Sequence, residues 1–572
     1  MKKNKVILLS LLGFTGLSAY SQDALTAFNL SQPDLKGTAR FMGMAGAFGA
    51  LGGDLSSLSQ NPAGIGVYRS SDIGFTLDLD VQNSSTNFDG KVSRMDQTKF
   101  LLNNIGAVLT MRLPSKACPN LNFGFTYNKG VSFNRVYGGT INTLKNSMSN
   151  FMAGIANAYE LTEGDVSFAD GYDPYNAPYD YVQAPWLTVL GYNSRLINPV
   201  YNPDTEVTDW YGLWDNNSMT GNNTTGMGQF MMQERGSVND FNIALGGNIN
   251  NILYWGMNFD ITSLNYSINA IWEEKLSNAA IMDDSGVFSR GNANWNLNSL
   301  YSISGTGFNY QLGFILKPVQ QFRLGFAFHT PTWYTLNEDF SGLVNYKIGD
   351  YSGTELTNDG IPGYTSYNFR TPWKIIASAA GVLGNNLIVS FDYEWANYGK
   401  MHYSEPTYYN DGYYWDYPWD WYSMQSGPVA LSNFPNLNDP YAGENGDIAT
   451  YYKSSNTFRV GVEFKPISSL SIRAGYSYVS SPVRKEAKDN REVIYTSSLM
   501  PSYRFDNSTN YVTCGLGYRY SHFYVDLAYV YKNMGAEYHA FTPDIGPNAI
   551  PSPQSKVSLT DNQIVLSMGY RF

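Results

Sequence analysis

The chain has 572 residues, 15% of them charged, with a formal net charge of −11. That acidity offers no basic face to nucleic acid, and a mean hydropathy of −0.29, with no long apolar run beyond the N-terminus, excludes a bundle of membrane helices. Yet 45 Tyr, 31 Phe, 12 Trp and 54 Gly are not an ordinary soluble composition, in which Gly makes up about 7%; aromatic girdles and Gly-tolerant strands of a membrane barrel would produce such a mix.

The N-terminus reads Met1, Lys2, Lys3, Asn4, Lys5, then an apolar stretch from Val6 to Leu17, then Ser18, Ala19, Tyr20 and Ser21. This is the pattern of a secretory signal peptide over 1–21, with cleavage expected after Ser21. The apolar run falls short of the ~20 residues a spanning helix needs, and no cysteine stands near the cleavage position to carry a lipid anchor.

Residues 22–70 show no strand periodicity but contain a run of small residues from Gly37 to Asp54, followed by Leu58, Ser59, Gln60, Asn61, Pro62, Ala63 and Gly64. Small residues let backbone pack closely, and Asn61 with Pro62 forces a turn.

From residue 71 the pattern becomes period two. Ile73, Phe75, Leu77, Leu79 and Val81 alternate with Gly74, Thr76, Asp78 and Asp80, so one face suits lipid and the other a polar lumen. The same alternation predicts strands at 71–82, 103–112, 121–133, 238–248, 252–265, 304–316, 322–330, 371–382, 386–398, 456–465, 469–480, 508–519, 522–532 and 562–572. The last strand ends Tyr570, Arg571, Phe572; an aromatic C-terminus of this kind is the assembly signal that the barrel assembly machinery of the outer membrane reads, with Tyr570 and Phe572 as its residues.

Fourteen is an even number, as a closed antiparallel barrel of this type requires. The connections sort by parity as well. Turns at 115–120, 250–251, 317–321, 383–385, 465–468 and 520–521 are short, and every intervening connection is longer, above all 134–237 and 399–455. Short periplasmic turns and long external loops are the habit of outer-membrane barrels; a soluble β-sandwich has no reason to sort its loops. The fold class expected is therefore all-β, a 14-stranded antiparallel transmembrane β-barrel over 71–572 with long extracellular loops carrying short helices. A lumen of that width leaks unless it is blocked, so 22–70 is expected to be an N-terminal hatch inside the barrel.

On these residues the chain resembles the FadL, TodX and OmpP1 family of outer-membrane hydrophobic-compound transporters. The resemblance rests on the Gly and Ala run ending in Asn61, Pro62, Ala63 and Gly64, on the strand count, and on Arg370, Thr371, Pro372, Trp373, Lys374 and Ser390, Phe391, Asp392, Tyr393. It implies a plugged barrel that accepts small hydrophobic ligands, such as long-chain fatty acids or aromatic hydrocarbons, and releases them sideways into outer-membrane lipid. Gly46, Gly53, Asp54, Asn61, Pro62, Ala63 and Gly64 then belong to the hatch, with Asn61 and Pro62 holding its turn and Asp54 its polar edge. Release in this family passes an inward kink of the third strand. Here Leu121, Phe123, Phe125 and Tyr127 alternate until Lys129 meets the lipid side beside Gly130, so Asn128, Lys129 and Gly130 mark either the kink or the point where the strand leaves the lipid.

The long loop after the third strand carries Ile141, Leu144, Met148, Phe151 or Met152, Ile155 and Tyr159 at helical spacing. In the family such a helix helps form an external groove, which would place Met148, Phe151, Met152 and Ile155 on a ligand; a helix packed on the barrel rim has the same pattern. The loops depart from the family in size. The stretch 408–421, dense in Tyr, Trp and Asp, suits either a self-packed cap or the stacking of a flat ligand.

The four histidines, His329, His402, His522 and His539, have no metal-ligand spacing, and no phosphate loop or nucleophile elbow is present. No cofactor, metal or catalytic activity is expected. An energised receptor would need about twenty-two strands, and an open porin no hatch. The alternative that stays open is a barrel component or shuttle of a protein secretion system. The transported compound, the oligomeric state and the pairing of Cys118 with Cys514 are not fixed by the sequence.

Overall fold

The computed structural model describes residues 22–572 except 116, 170, 178–182, 217, 222, 385, 407–440, 489–495, 497–498 and 543–551. The expected signal peptide and the aromatic stretch 408–421 lie outside the described residues.

The described chain begins with helices α1 (Ala24–Ser31) and α2 (Ala39–Met42) and two 3-10 turns, Leu55–Leu58 and Pro62–Val67. Then come β1 (Asp72–Phe88), β2 (Lys91–Arg112), β3 (Asn120–Ser132) and β4 (Arg135–Ile141). Helices α3 (Met148–Ala158), α4 (Glu163–Val166) and α5 (Trp186–Asn193) lead to a hairpin of β5 (Ile197–Asn202) and β6 (Val207–Gly212). The long strands β7 (Thr225–Ile249), β8 (Leu253–Met282) and β9 (Phe288–Val319) follow, then β10 (Phe322–His329), β11 (Trp333–Ile348), β12 (Tyr351–Leu356) and β13 (Gly363–Arg370). After β14 (Lys374–Leu383), β15 (Leu387–Asn397) and β16 (His402–Ser404) stands α6 (Ala442–Tyr451). The chain ends with β17 (Ser454–Ile467), β18 (Leu470–Val479), α7 (Lys485–Lys488), β19 (Tyr503–Tyr520), β20 (Phe523–His539) and β21 (Gln554–Arg571).

Antiparallel ladders run β1, β2, β3, β7, β8, β9, β10, β14, β15, β17, β18, β19, β20, β21 and back to β1, a closed 14-stranded barrel. Closure is completed beyond the last ladder, where Ser71 and Phe572 exchange backbone hydrogen bonds of 3.0 Å in both directions. The six short turns all fall at this end. Asn250 and Asn251 both adopt positive φ, the geometry of a two-residue hairpin turn that suits the strand twist.

Outward-facing Ile73, Phe75, Ile105, Leu109, Phe125, Ile243, Met257, Leu312, Phe314, Leu324, Leu516, Leu527 and Ile564 are all exposed and apolar. Around a closed barrel such side chains form the belt that meets lipid, which makes this a membrane-spanning barrel of the outer-membrane kind.

Several stretches expected as loops are strands. β8 and β9 have 30 and 32 residues, which at ~3.3 Å per residue is roughly 100 Å, against an apolar band ~25 Å tall. Residues 83–102 form a tight β1–β2 hairpin turning at Asp89 and Gly90, both with positive φ. The connection 134–237 shrinks to 142–224, and the strand expected at 371–382 begins at Lys374, because β13 and β14 are separated by a break at 371–373. β10 ends at His329 and the chain resumes as β11, which pairs with the upper part of β9 while β10 pairs with the lower part.

The cause is chemical inversion within one strand. In β8, Met257 and Ile261 face out and Asn258, Asp260 and Thr262 face in; above them Leu264, Tyr266, Ile268, Ala270 and Trp272 are the buried residues, and Ser263, Asn265, Ser267 and Asn269 face outward. The geometric alternation is unbroken. Only the side that must be apolar changes, so a search for lipid-facing alternation stops at the membrane surface.

Cys118 and Cys514 are free thiols. Deleting Phe572 removes the closing backbone pair and its stack on Tyr570 (5.9 Å, 23°). The expected result is a loss of folded, heat-modifiable barrel from the outer membrane, read by electrophoresis of unheated membranes; wild-type insertion would place the assembly signal elsewhere.

Candidate functional site: a plugged lumen beside a break in the wall

The N-terminal segment threads the lumen and is buried along nearly its whole length. Asp54 starts the turn Leu55–Leu58 by accepting from Ser56 N at 3.0 Å, and it also accepts from Thr38 Oγ1 at 2.8 Å. Asn61 does the same for Pro62–Val67, accepting from Ala63 N at 3.1 Å, while its Nδ2 donates to Gly49 O at 2.6 Å and to Phe314 O of β9 at 3.3 Å. Asn61 thus joins two arms of the segment to the wall. Gly46 and Gly53 have φ of +74° and +68°, and Gly64 lies against Gly52 so closely that a Cβ on Gly64 would stand 3.0 Å from Gly52 Cα. Ala63 is fully buried against Tyr254 and Ile315.

The wall meets this backbone with glycines at lumen-facing positions. A Cβ on Gly256 would run into Pro62, on Gly313 into Asn61, on Gly325 into Gly49, and on Gly461 and Gly475 into Met44. These residues were not singled out from the sequence. Their signal was present: each is a glycine on the inward parity of a strand, where a close backbone approach is the standard reason for one.

Ion pairs fix the segment on the polar side. Lys36 Nζ reaches Asp78 at 2.9 Å, Asp80 at 3.2 Å and Gln563 at 2.9 Å. Arg40 pairs with Glu463 at 3.1 Å, which also holds Arg473 at 2.7 Å, and Arg473 continues to Asp526 at 2.5 Å. Burial would strip Lys36 and Arg40 of charge, but Asp78 and Asp80, and Glu463, outweigh it and hold both above their ordinary ranges. Burial pushes Asp54 up, and Arg40 and Thr38 offset only part of that. Asp34 is pushed up by burial too, yet Lys532 at 3.1 Å, with Lys36 behind it, holds it at about 2. A depressed carboxyl stabilises the fold above its ordinary value and loses that contribution as pH falls through the depressed one.

Above this floor the lumen is apolar and aromatic. Phe230 stacks on Tyr538 at 3.8 Å, and Phe541 packs between Phe151 and Trp272. Helix α3 is held by Glu274, which accepts from Ser147 Oγ at 2.5 Å, Met148 N at 2.8 Å and Trp272 Nε1 at 2.8 Å. Met148 and Met152 are therefore fully buried, with Phe151 and Ile155 packed against the same core. The face expected to line an external groove is turned inward and covered by the chain itself. A cavity between Phe28, Tyr398, Val479 and Met534 holds about 30 Å³, room for a water rather than a hydrocarbon.

The wall is interrupted at a seam, where β2 outruns its ladder with β3. The β2–β3 ladder runs from Arg112 and Asn120 up to Asn104 and Asn128, where Asn104 Nδ2 donates to Asn128 Oδ1 at 2.5 Å, and stops there, although β2 continues to Lys91. The β3–β7 register skips at Gly130, between Lys129 and Val131. Lys129 is 9% exposed and donates to Asn239 at 3.0 Å. Beyond the skip β4 stays paired with β7 but lies against the lumen side of β1 and β2: Val136 N donates to Gln82 at 3.0 Å, and a Cβ on Gly139 would stand 3.4 Å from Thr86 Cβ. Arg135 at the start of β4 pairs with Glu234, which is bound to Arg504, then to Asp506 and to Gln32 of the N-terminal segment. The structure thus brings Asn128, Lys129 and Gly130 to the seam and the residues expected in a hatch to the floor beside it.

No family model and no curated protein matches the chain. Among solved structures it is similar to a FadL homologue of Pseudomonas aeruginosa (12% identity, 94% of this chain and 99% of that chain, TM-score 0.47). It is also similar to the toluene transporter TodX of Pseudomonas putida (12%, 94% and 99%, TM-score 0.44) and to the toluene transporter TbuX of Ralstonia pickettii (13%, 95% and 100%, TM-score 0.42).

Two measurements bear on the floor. Gly313→Val is expected to push Asn61 out of its place and raise single-channel conductance in planar bilayers while leaving the barrel folded, and Asn61→Ala to do so more weakly, at a stability cost of about 1 kcal/mol for the lost cap; unchanged conductance in both would show that the segment does not seal the lumen. Lowering pH from 3.8 toward 2 is expected to raise wild-type conductance as Asp34 protonates, with Asp34→Asn conducting already at neutral pH.

Proposed function

We propose that the protein admits small hydrophobic compounds from outside and releases them sideways into the membrane at the seam between β2 and β4. The observation that carries this reading is where the seam lies. The β2–β3 ladder ends at Asn104, while outward Leu102 and Phe100 just above it are still apolar and exposed. The break therefore opens on the top of the lipid belt, between an aromatic upper lumen and an ion-paired floor. An apolar solute that has displaced the upper packing meets Lys36, Asp78 and Asp80 below and hydrocarbon at the side, and desolvating those charges costs far more than moving sideways.

In this reading β4 is the closing element and the N-terminal segment the seal beneath it. The fatty acids or aromatic hydrocarbons implied by the family resemblance have the chemistry for such a route, and outer-membrane lipid is the acceptor.

The test uses the contact of Gly139 with Thr86, whose 3.4 Å Cβ separation is close to that of a disulfide, ~3.5–4.5 Å. In a background with Cys118 and Cys514 changed to Ser, the pair Thr86→Cys and Gly139→Cys is expected to reduce cellular uptake of toluene or a long-chain fatty acid to that of cells lacking the protein, with reductant restoring it. Full uptake by the cross-linked barrel would rule out exit at this seam.

A further inference from the structure

Helix α1 is packed high in the lumen, well above the floor to which its chain descends. Phe28 stacks on Tyr452 at 4.9 Å and meets Tyr398 edge-on at 5.4 Å. Asp23 caps the helix by accepting from Thr26 N at 2.6 Å, and its carbonyl accepts from Tyr403 Oη at 3.0 Å. These contacts hold Gln22, 3% exposed, beside Glu338 of β11.

Glu338 is completely buried. Its Oε2 accepts from Tyr367 Oη at 2.9 Å, while its Oε1 makes no well-formed hydrogen bond although the Tyr301 hydroxyl and the Gln22 amide lie close enough to act on the carboxyl. The groups acting on this carboxyl most strongly are Tyr301, Tyr367, Asp23 and Gln22, none of them a cation, and burial pushes it up to about 8. Asp447 of α6 is likewise pushed up to about 7, by burial and then by Glu444 and the same Asp23. A buried carboxylate whose second oxygen is poorly hydrogen-bonded and which faces a further acid, Asp23, is costly as an anion unless a cation completes it.

The sequence supplies such a cation. Hydrolysis of the Ser21–Gln22 bond by a leader peptidase consumes one water, leaves a carboxylate on the leader, and frees an amine on Gln22 that takes up a proton. Before cleavage that nitrogen is an uncharged amide with a single N–H; afterwards it is an ammonium with three donors. We propose that the pocket of Glu338, Tyr301 and Tyr367 is the binding site for the chain's own processed amino terminus, whose α-ammonium pairs with Glu338 and locks α1 into the upper lumen only in the mature protein. This rests on cleavage after Ser21. An α-amine titrates near ~7.7–8.0, so pairing with Glu338 draws both groups into their charged forms.

The experiment takes the full-length protein purified from outer membranes in detergent. Intact mass is expected to show a chain starting at Gln22 with a free amine. Under an amine-reactive reagent near neutral pH, that α-amine is expected to label at least about tenfold more slowly in the folded barrel than after denaturation, as for a group reached only by local opening. Glu338→Gln is expected to abolish the protection while exposed lysines label alike in both proteins. Rapid labelling of the folded wild type would overturn the pairing, as would a mass lower by one ammonia, the mark of a cyclised and uncharged Gln22. A start at another residue would instead overturn the leader assignment, and the mass alone distinguishes the two. If Glu338→Gln fails to assemble, the wild-type labelling rate still decides.

Discussion

The boundary between hydrocarbon and water, crossed partway along every long strand, sets the chemistry of this molecule. Below it a strand must be apolar outside, and the lumen can be polar. Above it the outside is wet, and the only place left for apolar side chains is the interior. β8 meets both demands without a change of backbone geometry: Met257 and Ile261 face lipid, Leu264, Tyr266 and Trp272 face the lumen, and the switch takes a single step at Thr262 and Ser263. The barrel therefore has two interiors, an ionic one within the membrane and an aromatic one above it.

Each interior is closed in the way its chemistry allows. In the lower one the backbone of residues 43–66 comes directly against wall glycines, and the charges of Lys36 and Arg40 just before it are matched by Asp78, Asp80 and Glu463. Charge pairs of this burial contribute modest net stability, since desolvation consumes much of the attraction. What they supply is position, because a displaced Lys36 or Arg40 would leave carboxylates unpaired in a dry lumen. In the upper interior closure is mainly by packing, around the buried ion network of Arg135, Glu234, Arg504 and Asp506. Helices α3 and α5 fill the mouth with Met148, Met152, Leu187 and Leu190, side chains that can be repacked at lower cost than an ion pair can be broken.

The same division explains what was legible in the sequence. The lipid belt was, because its alternation is apolar against polar and most of the fourteen strands repeat it. That 22–70 is not strand was legible as well, through Asn61, Pro62 and the small-residue run; the segment forms two 3-10 turns, buried against the wall. The tall upper wall was not: in 266–303 the inward residues include Ile268, Trp272, Trp295 and Tyr301, the outward ones are mostly Ser, Asn and charged residues, and an alternation of inverted sign reads as a decorated loop when lipid is the assumed outside. The pairing of Lys36 with Asp78, or of Arg40 with Glu463, was beyond reach for a different reason. Those partners are joined across the lumen by barrel closure, and nothing local in the chain marks them.

The seam follows from the meeting of the two interiors. A ladder of hydrogen bonds seals a wall against both water and lipid, and leaving it unmade is tolerable only where another group shields the open edge. At Asn104 and Asn128 the ladder stops at the height where Lys36 and Asp78 end the polar floor and Val131 and Phe133 begin the aromatic core. The register skips at Gly130, and beyond it β4 covers the open edge of β2 from the lumen side with Gly138 and Gly139, small enough to lie flat on Met95 and Thr86. An edge covered by packing rather than by paired backbone is the cheapest part of a barrel wall to open. In the route proposed above it stands where an apolar solute, stopped by charge below, would have hydrocarbon beside it.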